Sequence, residues 1–271
     1  MLSIQNTTIS KVSSSGITTA EDFLAVEEPL EIKISFLRNS LRVEKNISIT
    51  MRTPGNDKEL AIGFLFTEGI IHAFDDVENT IQLNDNSVTI VLNEHVFFEE
   101  TKLDRHFYTS SSCGVCGKSS IEAIYTTGNK QSEDINLCFS SSLLRTLPDK
   151  LREHQNVFEQ TGGLHASALF NTDGELLFLN EDVGRHNALD KLIGSALMKN
   201  SVPLNDCLLL LSGRASFELI QKATMAGISI VAAVGAPSSL AVSLAKERNM
   251  TLIGFLKKEK FNIYSGEKRI T

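Results

Sequence analysis

Cysteine is scarce in this chain: four in 271 residues, too few for a disulfide scaffold. No apolar run approaches the roughly 18 residues of a membrane-spanning helix, and the N-terminus lacks the apolar core of a signal peptide. Positive charge is also short, with 26 basic residues against 33 acidic ones and a formal charge of -7. That balance argues against wholesale nucleic-acid binding, which needs a basic face to neutralise phosphates. These absences lead us to expect a soluble cytoplasmic protein with neither a membrane nor a nucleic acid as partner. Apolar residues make up 42% of the chain, enough to bury a substantial core in one large domain or two modest ones.

Residues 1–20 are Ser/Thr-rich with Lys11 as the only charge, which predicts a weakly packed segment or an edge strand. Alternation predicts strands at Glu31–Leu37 and Asn46–Met51, with a turn at Asn39-Ser40. Asn56-Asp57 is expected to cap a helix carrying Leu60, Ala61, Phe64 and Leu65 and ending near Gly69. Ser87–Leu92 is a further strand, and this α+β segment ends near residue 105. Thr109–Ser120 then holds five serines, two glycines and two cysteines with little apolar weight, the composition of an exposed loop. A helical stretch from Ser141 to Phe158 follows, broken or kinked at Pro148.

The C-terminal half is the most regular. His165–Phe170 and Glu175–Leu179 flank Asn171-Thr-Asp-Gly174, a hairpin signal. Helix (Ala188–Leu197), strand (Cys207–Leu211), helix from Ser216, strand (Ile228–Val234), helix from Ser239 and strand (Thr251–Phe255) follow in order. Buried apolar strands alternating with amphipathic helices predict βαβ units and a parallel sheet.

Two places carry chemistry. The first is Cys113-Gly-Val-Cys116, with Gly114 and Gly117 for backbone freedom and Lys118 as a local cation. Such spacing beside positive charge favours the thiolate, the form in which sulfur is nucleophilic. A zinc site would need Cys138 and Cys207 to complete it, since there is no second Cys-x-x-Cys and no His-x₃₋₅-His. A redox pair normally sits where a strand meets a helix, and an incidental structural pair is normally buried. All three readings stay open beside that of a mobile reactive sulfur.

The second is the edge formed by strand ends. Ligands of open parallel sheets bind outside the carboxyl ends of the strands. Here those ends read Ser212-Gly-Arg214-Ala-Ser216, Gly235-Ala-Pro-Ser238-Ser239 and Lys257-Lys258-Glu259-Lys260. Residues 246–271 hold seven basic and three acidic residues, a local +4 that leaves -11 on the remainder. Small residues at helix starts and a local basic excess suit a phosphate ester. Each piece alone is equally a capped turn or a solvated lysine face. Glu181-Asp-Val-Gly-Arg-His186-Asn187 and Thr161-Gly-Gly-Leu-His165 add two histidines in polar, glycine-flanked clusters. The acids of the first cluster could equally be capping a helix.

Together the motifs resemble a known family. Arg52–Ile71, the Cys-Gly-Val-Cys-Gly loop, Thr-Gly-Gly-Leu-His-Ala, Glu-Asp-Val-Gly-Arg-His-Asn-Ala-Leu-Asp-Lys, Ser-Gly-Arg-Ala-Ser-Phe-Glu and Leu-Ile-Gly-Phe-Leu-Lys-Lys are similar to those of the formate dehydrogenase accessory sulfurtransferases (FdhD). The resemblance runs from about residue 22 to 265. It implies an α/β protein: a cytidine-deaminase-like three-layer C-terminal domain (141–271), a smaller N-terminal α+β domain (22–108), and the Cys-x-x-Cys loop and linker between them (109–140). Zinc deaminases carry His-x-Glu and Pro-Cys-x-x-Cys. This chain has His165-Ala-Ser167 on the comparable strand and no Pro-Cys-x-x-Cys, which argues against a deaminating zinc site or any tightly bound metal of its own.

The resemblance further implies a sulfurtransferase that receives sulfur from a cysteine desulfurase. It would pass that sulfur to the molybdenum cofactor in its bis(molybdopterin guanine dinucleotide) form, destined for formate dehydrogenase. Cys113 would carry the persulfide and Cys116 would assist. Phe255, Leu256, Lys257, Lys258, Glu259 and Lys260 match the family's cofactor-binding stretch, where relatives often show Gly or Arg in place of Lys and Glu. With Ser212, Arg214, Ser238, His165 and His186 they make the expected cofactor site. The alternatives are a cofactor-binding chaperone without sulfur relay, or a zinc or redox Cys-x-x-Cys protein. A homodimer is a further expectation, motivated by the two-fold character of the cofactor.

Overall fold

The computed structural model describes residues 2–96 and 137–271; Cys113 and Cys116 lie outside the described residues. β1 (Ile4–Ser13) and β2 (Gly16–Ala25) pair antiparallel over their full lengths. Residues 1–20 supply β1 and the start of β2 in this separate two-stranded ribbon, and most of their side chains are exposed, the weak packing that their composition suggested.

β3 (Glu28–Arg38) and β4 (Leu41–Arg52) join across Asn39 and Ser40, whose φ of 50° and 65° gives the mirror-image turn that matches strand twist. Alternation buries Leu30, Ile32, Ile34 and Phe36 of β3. α1 (Asp57–Thr67) follows, but Asn56 does not cap it with its side chain: it adopts a left-handed conformation with φ 56°. Instead the helix start is tied down through Asp57, whose carboxylate takes both forks of fully buried Arg52 (2.9 and 3.0 Å). β5 (Val77–Asn84) and β6 (Ser87–Leu92) complete a sheet of order β4-β3-β6-β5. β5 is polar and largely exposed, so periodicity does not reveal it; pairing with β6 holds it.

The expected helix from 141 to 158 is three: α2 (Ser141–Leu144), α3 (Leu147–His154) and α4 (Asn156–Thr161). Pro148 lies in the first turn of α3, where its missing N–H has no intrahelical partner to lose, so it starts a helix instead of kinking one. The hairpin β7 (His165–Phe170) and β8 (Leu176–Asp182) turns at Asn171–Gly174. Next come α5 (Arg185–Met198), β9 (Leu208–Leu211), α6 (Phe217–Met225), β10 (Ile230–Ala233), α7 (Ser239–Glu247), β11 (Thr251–Gly254) and a short β12 (Asn262–Ser265). The sheet order is β12-β11-β10-β9-β7-β8, with β9, β10 and β11 parallel.

This sheet is the middle of three layers. One face buries Leu169, Leu209, Val231 and Leu252 against α5, α6 and α7. The other buries Phe170, Leu208, Ile230 and Ile253 under Phe139, Leu144, Leu147 and Leu151. The chain is thus an α/β protein of the class its motifs implied.

The first core is continuous with the inner face of the N-terminal sheet, through α1 lying on α5. Gly63 and Gly194 face each other there: a methyl group on either would lie 1.9 Å from a carbonyl oxygen of the opposite helix. An ion pair sits in the same seam. Lys222 Nζ reaches both oxygens of Asp190 (3.0 and 2.9 Å) and Thr67 Oγ1 (2.9 Å). Burial alone would lower the Lys222 pKa, but Asp190 and Glu68 outweigh it and hold the ammonium charged. Among the described residues no helix is long and apolar enough to cross a membrane.

Candidate functional site

The carboxyl ends of β9, β10 and β11 open on one edge, and β7, antiparallel to β9, begins there. The three strand-end loops are zipped together by backbone bonds. Gly235 N–H donates to Gly213 O (2.9 Å), Ser238 N–H to Ala215 O (3.0 Å) and Phe255 N–H to Gly235 O (3.0 Å). A Cβ on Gly235 would fall 2.9 Å from Gly213 O, so the loops stack only because that position lacks a side chain. The result is a rigid rim extending the sheet.

The histidines come to the same rim. His165 pairs with Asp182 across the hairpin, at the start of β7, and its ring lies over Gly213, 3.1 Å from where a Cβ there would be. Ser212 locks this register: its Oγ accepts Ala166 N–H (2.8 Å) and its own N–H donates to Ala166 O (3.0 Å). His186, in the first turn of α5, has Nε2 3.4 Å from Ser216 Oγ and 3.8 Å from Glu218 Oε2. Burial would raise the Glu218 carboxyl, but hydrogen bonds from His186, its own backbone N–H and Ser216, with the His186 charge, bring it down to about 2. Burial pushes His165 below its usual pKa, and the positive charges of Arg185, His186 and Arg214 act the same way against Asp182. Four basic side chains therefore meet at one edge of an acidic protein.

The expected site residues divide by exposure. His165, His186 and Ser212 are half-buried at the rim, and Arg214, Ser238, Phe255, Lys257, Lys258, Glu259 and Lys260 are exposed along it. Phe255 takes a left-handed φ of 53°, uncommon for a bulky residue, and presents its ring to solvent. Leu256 departs from the group: it is fully buried under the sheet, so only its backbone belongs to the rim. Ser238 caps α7, its Oγ accepting Ala241 N–H (3.2 Å). Cys207 is buried, its thiol pushed up to about 12 by burial and by Asp206, so it stays protonated. The described residues contain no group of three or more His, Cys, Asp or Glu side chains placed to hold a metal.

Residues 25–271 match the FdhD/NarQ family. The chain is 47% identical over 270 residues to the sulfur carrier protein FdhD of Streptomyces avermitilis, covering 96% of this chain and 93% of that one. It is 42% identical to the sulfur carrier protein FdhD of Sulfolobus acidocaldarius, over 99% of both chains. The chain belongs to the FdhD/NarQ family. A solved structure from Desulfotalea psychrophila, described as a formate dehydrogenase accessory protein, superposes over the whole of both chains with a TM-score of 0.80 at 23% identity, a likeness of fold.

In this FdhD/NarQ chain, much of the Glu181–Lys191 cluster is scaffold. Asp182 is fully buried and accepts from Thr53 N–H (3.1 Å), Gly184 N–H (2.8 Å), Asn187 Nδ2 (3.1 Å) and Lys191 Nζ (2.7 Å). Asn187 also donates to Met51 O (2.8 Å), and Lys191 to Thr53 O (2.7 Å). These bonds strap the start of α5 to the end of β4 and the segment after it. Glu181 does cap a helix, but a different one: it accepts the N–H groups of Val157 and Phe158 at the start of α4. Sequence reasoning placed these residues in a polar site because their partners lie more than 120 positions away in two cases out of three.

One pH effect follows. A histidine whose folded pKa is lowered is neutral in the native state while the unfolded chain takes a proton near 6.5, so stability falls as pH drops below that value. Between about pH 7.5 and pH 5.5 the thermal midpoint should decline more in the wild type than in His165→Asn. Equal declines in the two proteins would show that His165 does not titrate in this window.

Proposed function

We propose that this chain is a sulfur carrier that takes sulfane sulfur on Cys113 from a cysteine desulfurase. It then gives that sulfur to the guanine-dinucleotide form of the molybdenum cofactor, bound as substrate at the basic rim and destined for formate dehydrogenase. The observation that carries the substrate assignment is the convergence of His165, Arg185, His186 and Arg214 at one sheet edge, with the Lys257–Lys260 run beside it, in a chain of net charge -7. An acidic protein repels phosphates unless a local field of this kind outweighs the rest. The sulfur assignment is supported by Cys113-Gly-Val-Cys116 and by relatives named as sulfur carriers at 42–47% identity.

The chemistry is a pair of thiol exchanges. The Cys113 thiolate attacks the outer sulfur of the desulfurase persulfide; that S–S bond breaks, the desulfurase leaves as thiolate, and a persulfide forms on Cys113. Attack of the Cys116 thiolate on the Cys113 sulfur then closes a Cys113–Cys116 disulfide and expels the outer sulfur as hydrosulfide. The two electrons come from the thiol pair. At the rim, the basic side chains hold the phosphates of the acceptor while this happens.

Incubation with a desulfurase and cysteine should add one sulfur atom to Cys113, visible by mass spectrometry of the peptide, and Cys113→Ser should abolish the gain. Labelled sulfur arriving on Cys138 or Cys207 would refute the assignment. No uptake at all would favour a cofactor-binding chaperone whose cysteines are dispensable.

A further inference from the structure

The β1–β2 ribbon is bared to solvent along most of its length. Among the described residues its strands pair only with each other, over ten residues each, about 33 Å. β2 lies on α4 near the base of the ribbon, where Ala25 comes up against Gly163; β1 has no comparable neighbour besides β2 among the described elements. Val12 and Ile17, opposite each other beside the turn, are 77% and 72% exposed. A two-stranded hairpin with so little to pack on is barely stable in water by itself.

The edges of the two larger sheets are blunted. The pairing of β5 with β6 is broken by two register shifts, and that of β4 with β3 by one; the Met51 carbonyl at the end of β4 is also taken by Asn187. The pairing of β8 with β7 shifts once and β8 ends in Glu181-Asp182, while β12 is only four residues long. Short, irregular or charged edges do not recruit another strand. β1 has none of these features. It is ten residues of regular strand without proline, and Lys11 is its only charge.

The unused hydrogen-bonding groups of β1 fall in a definite phase. Val26 N–H donates to Ser3 O, and the ladder runs on in steps of two, so the odd-numbered residues of β1 bond to β2. Ile4, Asn6, Thr8, Ser10 and Val12 therefore turn their N–H and C=O groups outward. A second β1 laid antiparallel about Thr8 meets them in phase: Thr8 faces the partner's Thr8, Asn6 the partner's Ser10 and Ile4 the partner's Val12. About ten backbone hydrogen bonds form, the number typical of a stable protein interface. No like charges oppose each other, since Lys11 faces the partner's Gln5. On one face a row of apolar side chains then crosses all four strands: Ile17, Val12, the partner's Ile4 and the partner's Ala25.

We propose that the ribbon is a dimerisation arm. The β1 edges of two copies of this chain pair antiparallel about a two-fold axis through Thr8 and make one four-stranded sheet. The occupant is a second copy because this edge complements itself in charge, hydrogen-bond phase and apolar row, all in a single register. The inference goes beyond the sulfur-carrier reading and does not depend on it.

Light scattering of the full chain after size exclusion should give twice the chain mass of 29.8 kDa. Thr8→Pro removes an outward N–H and leaves the bonds to β2 in place, so this variant should run as a monomer. Thr8→Cys should cross-link to its counterpart under mild oxidation, because the Cα atoms of a directly opposed, bonded pair lie about 5.5 Å apart, within disulfide reach. Peptide mass spectrometry identifies the link. Ser10→Cys, whose counterpart would face Asn6, should not form one. A monomeric wild type overturns the proposal, and so does a dimer that persists in Thr8→Pro. Should Thr8→Pro fail to fold, the cross-link decides: a dimeric Thr8→Cys protein that forms no such bond, or that is matched by Ser10→Cys, refutes the pairing about Thr8.

Discussion

Gly194→Ala should destabilise the protein by about 3 kcal/mol or more, the upper end of what overpacking costs, and lower its melting temperature by roughly 6–12 °C. Helix propensity alone predicts the opposite sign, since alanine is favoured over glycine by about 1 kcal/mol within a helix. Contact geometry overrides it. The new methyl would sit 1.9 Å from Glu59 O, a backbone atom of α1 that can move only with its helix. Gly63→Ala meets Asp190 O at the same distance, from the other side. Once one substitution has pushed the helices apart, the second meets less resistance, so the double variant should cost clearly less than the two single effects added together. Chemical denaturation of the three variants measures this. A melting point for Gly194→Ala within about 2 °C of the wild type would contradict the backbone-on-backbone contact. The seam also matters for function, because α5 carries Arg185 and His186 into the rim, and a helix displaced from α1 misplaces both.

Asp182→Ala should cost about 3–5 kcal/mol, because it breaks a buried ion pair and leaves Lys191 charged in a dry interior. Lys191 is 2% exposed, and its remaining partner is the Thr53 carbonyl. The loss goes beyond the pair: the same carboxylate satisfies the N–H groups of Thr53 and Gly184 and the amide of Asn187. Adding Lys191→Met to Asp182→Ala removes the stranded ammonium and should recover part of the stability, the signature of an uncompensated charge in place of a lost packing contact. If the second substitution only adds to the damage, the ion pair is not what Asp182 contributes.

Alternation and period carried the regular elements. Leu30, Ile32, Ile34 and Phe36 point inward because side chains on a strand alternate, and the apolar strands β9 to β11 separated by amphipathic helices allow little but parallel pairing. Strand ends of a parallel sheet share an edge, so the meeting of Ser212, Arg214, Ser238 and the Lys257–Lys260 run was legible from the chain alone. Asn171-Thr-Asp-Gly174 specified its own turn by local chemistry.

Other features depend on partners that local pattern cannot name. The polar β5 is a strand because β6 lies beside it, and Pro148 begins α3 because the chain turns just before it. Asp182 reads as a candidate site residue until Thr53, 129 positions earlier, is seen to donate to it. Gly63 and Gly194 look like weak points of two helices until each is found against the other's backbone. Periodicity reports which face of an element is buried. Which charge answers which is decided by contacts between residues that the chain itself holds far apart.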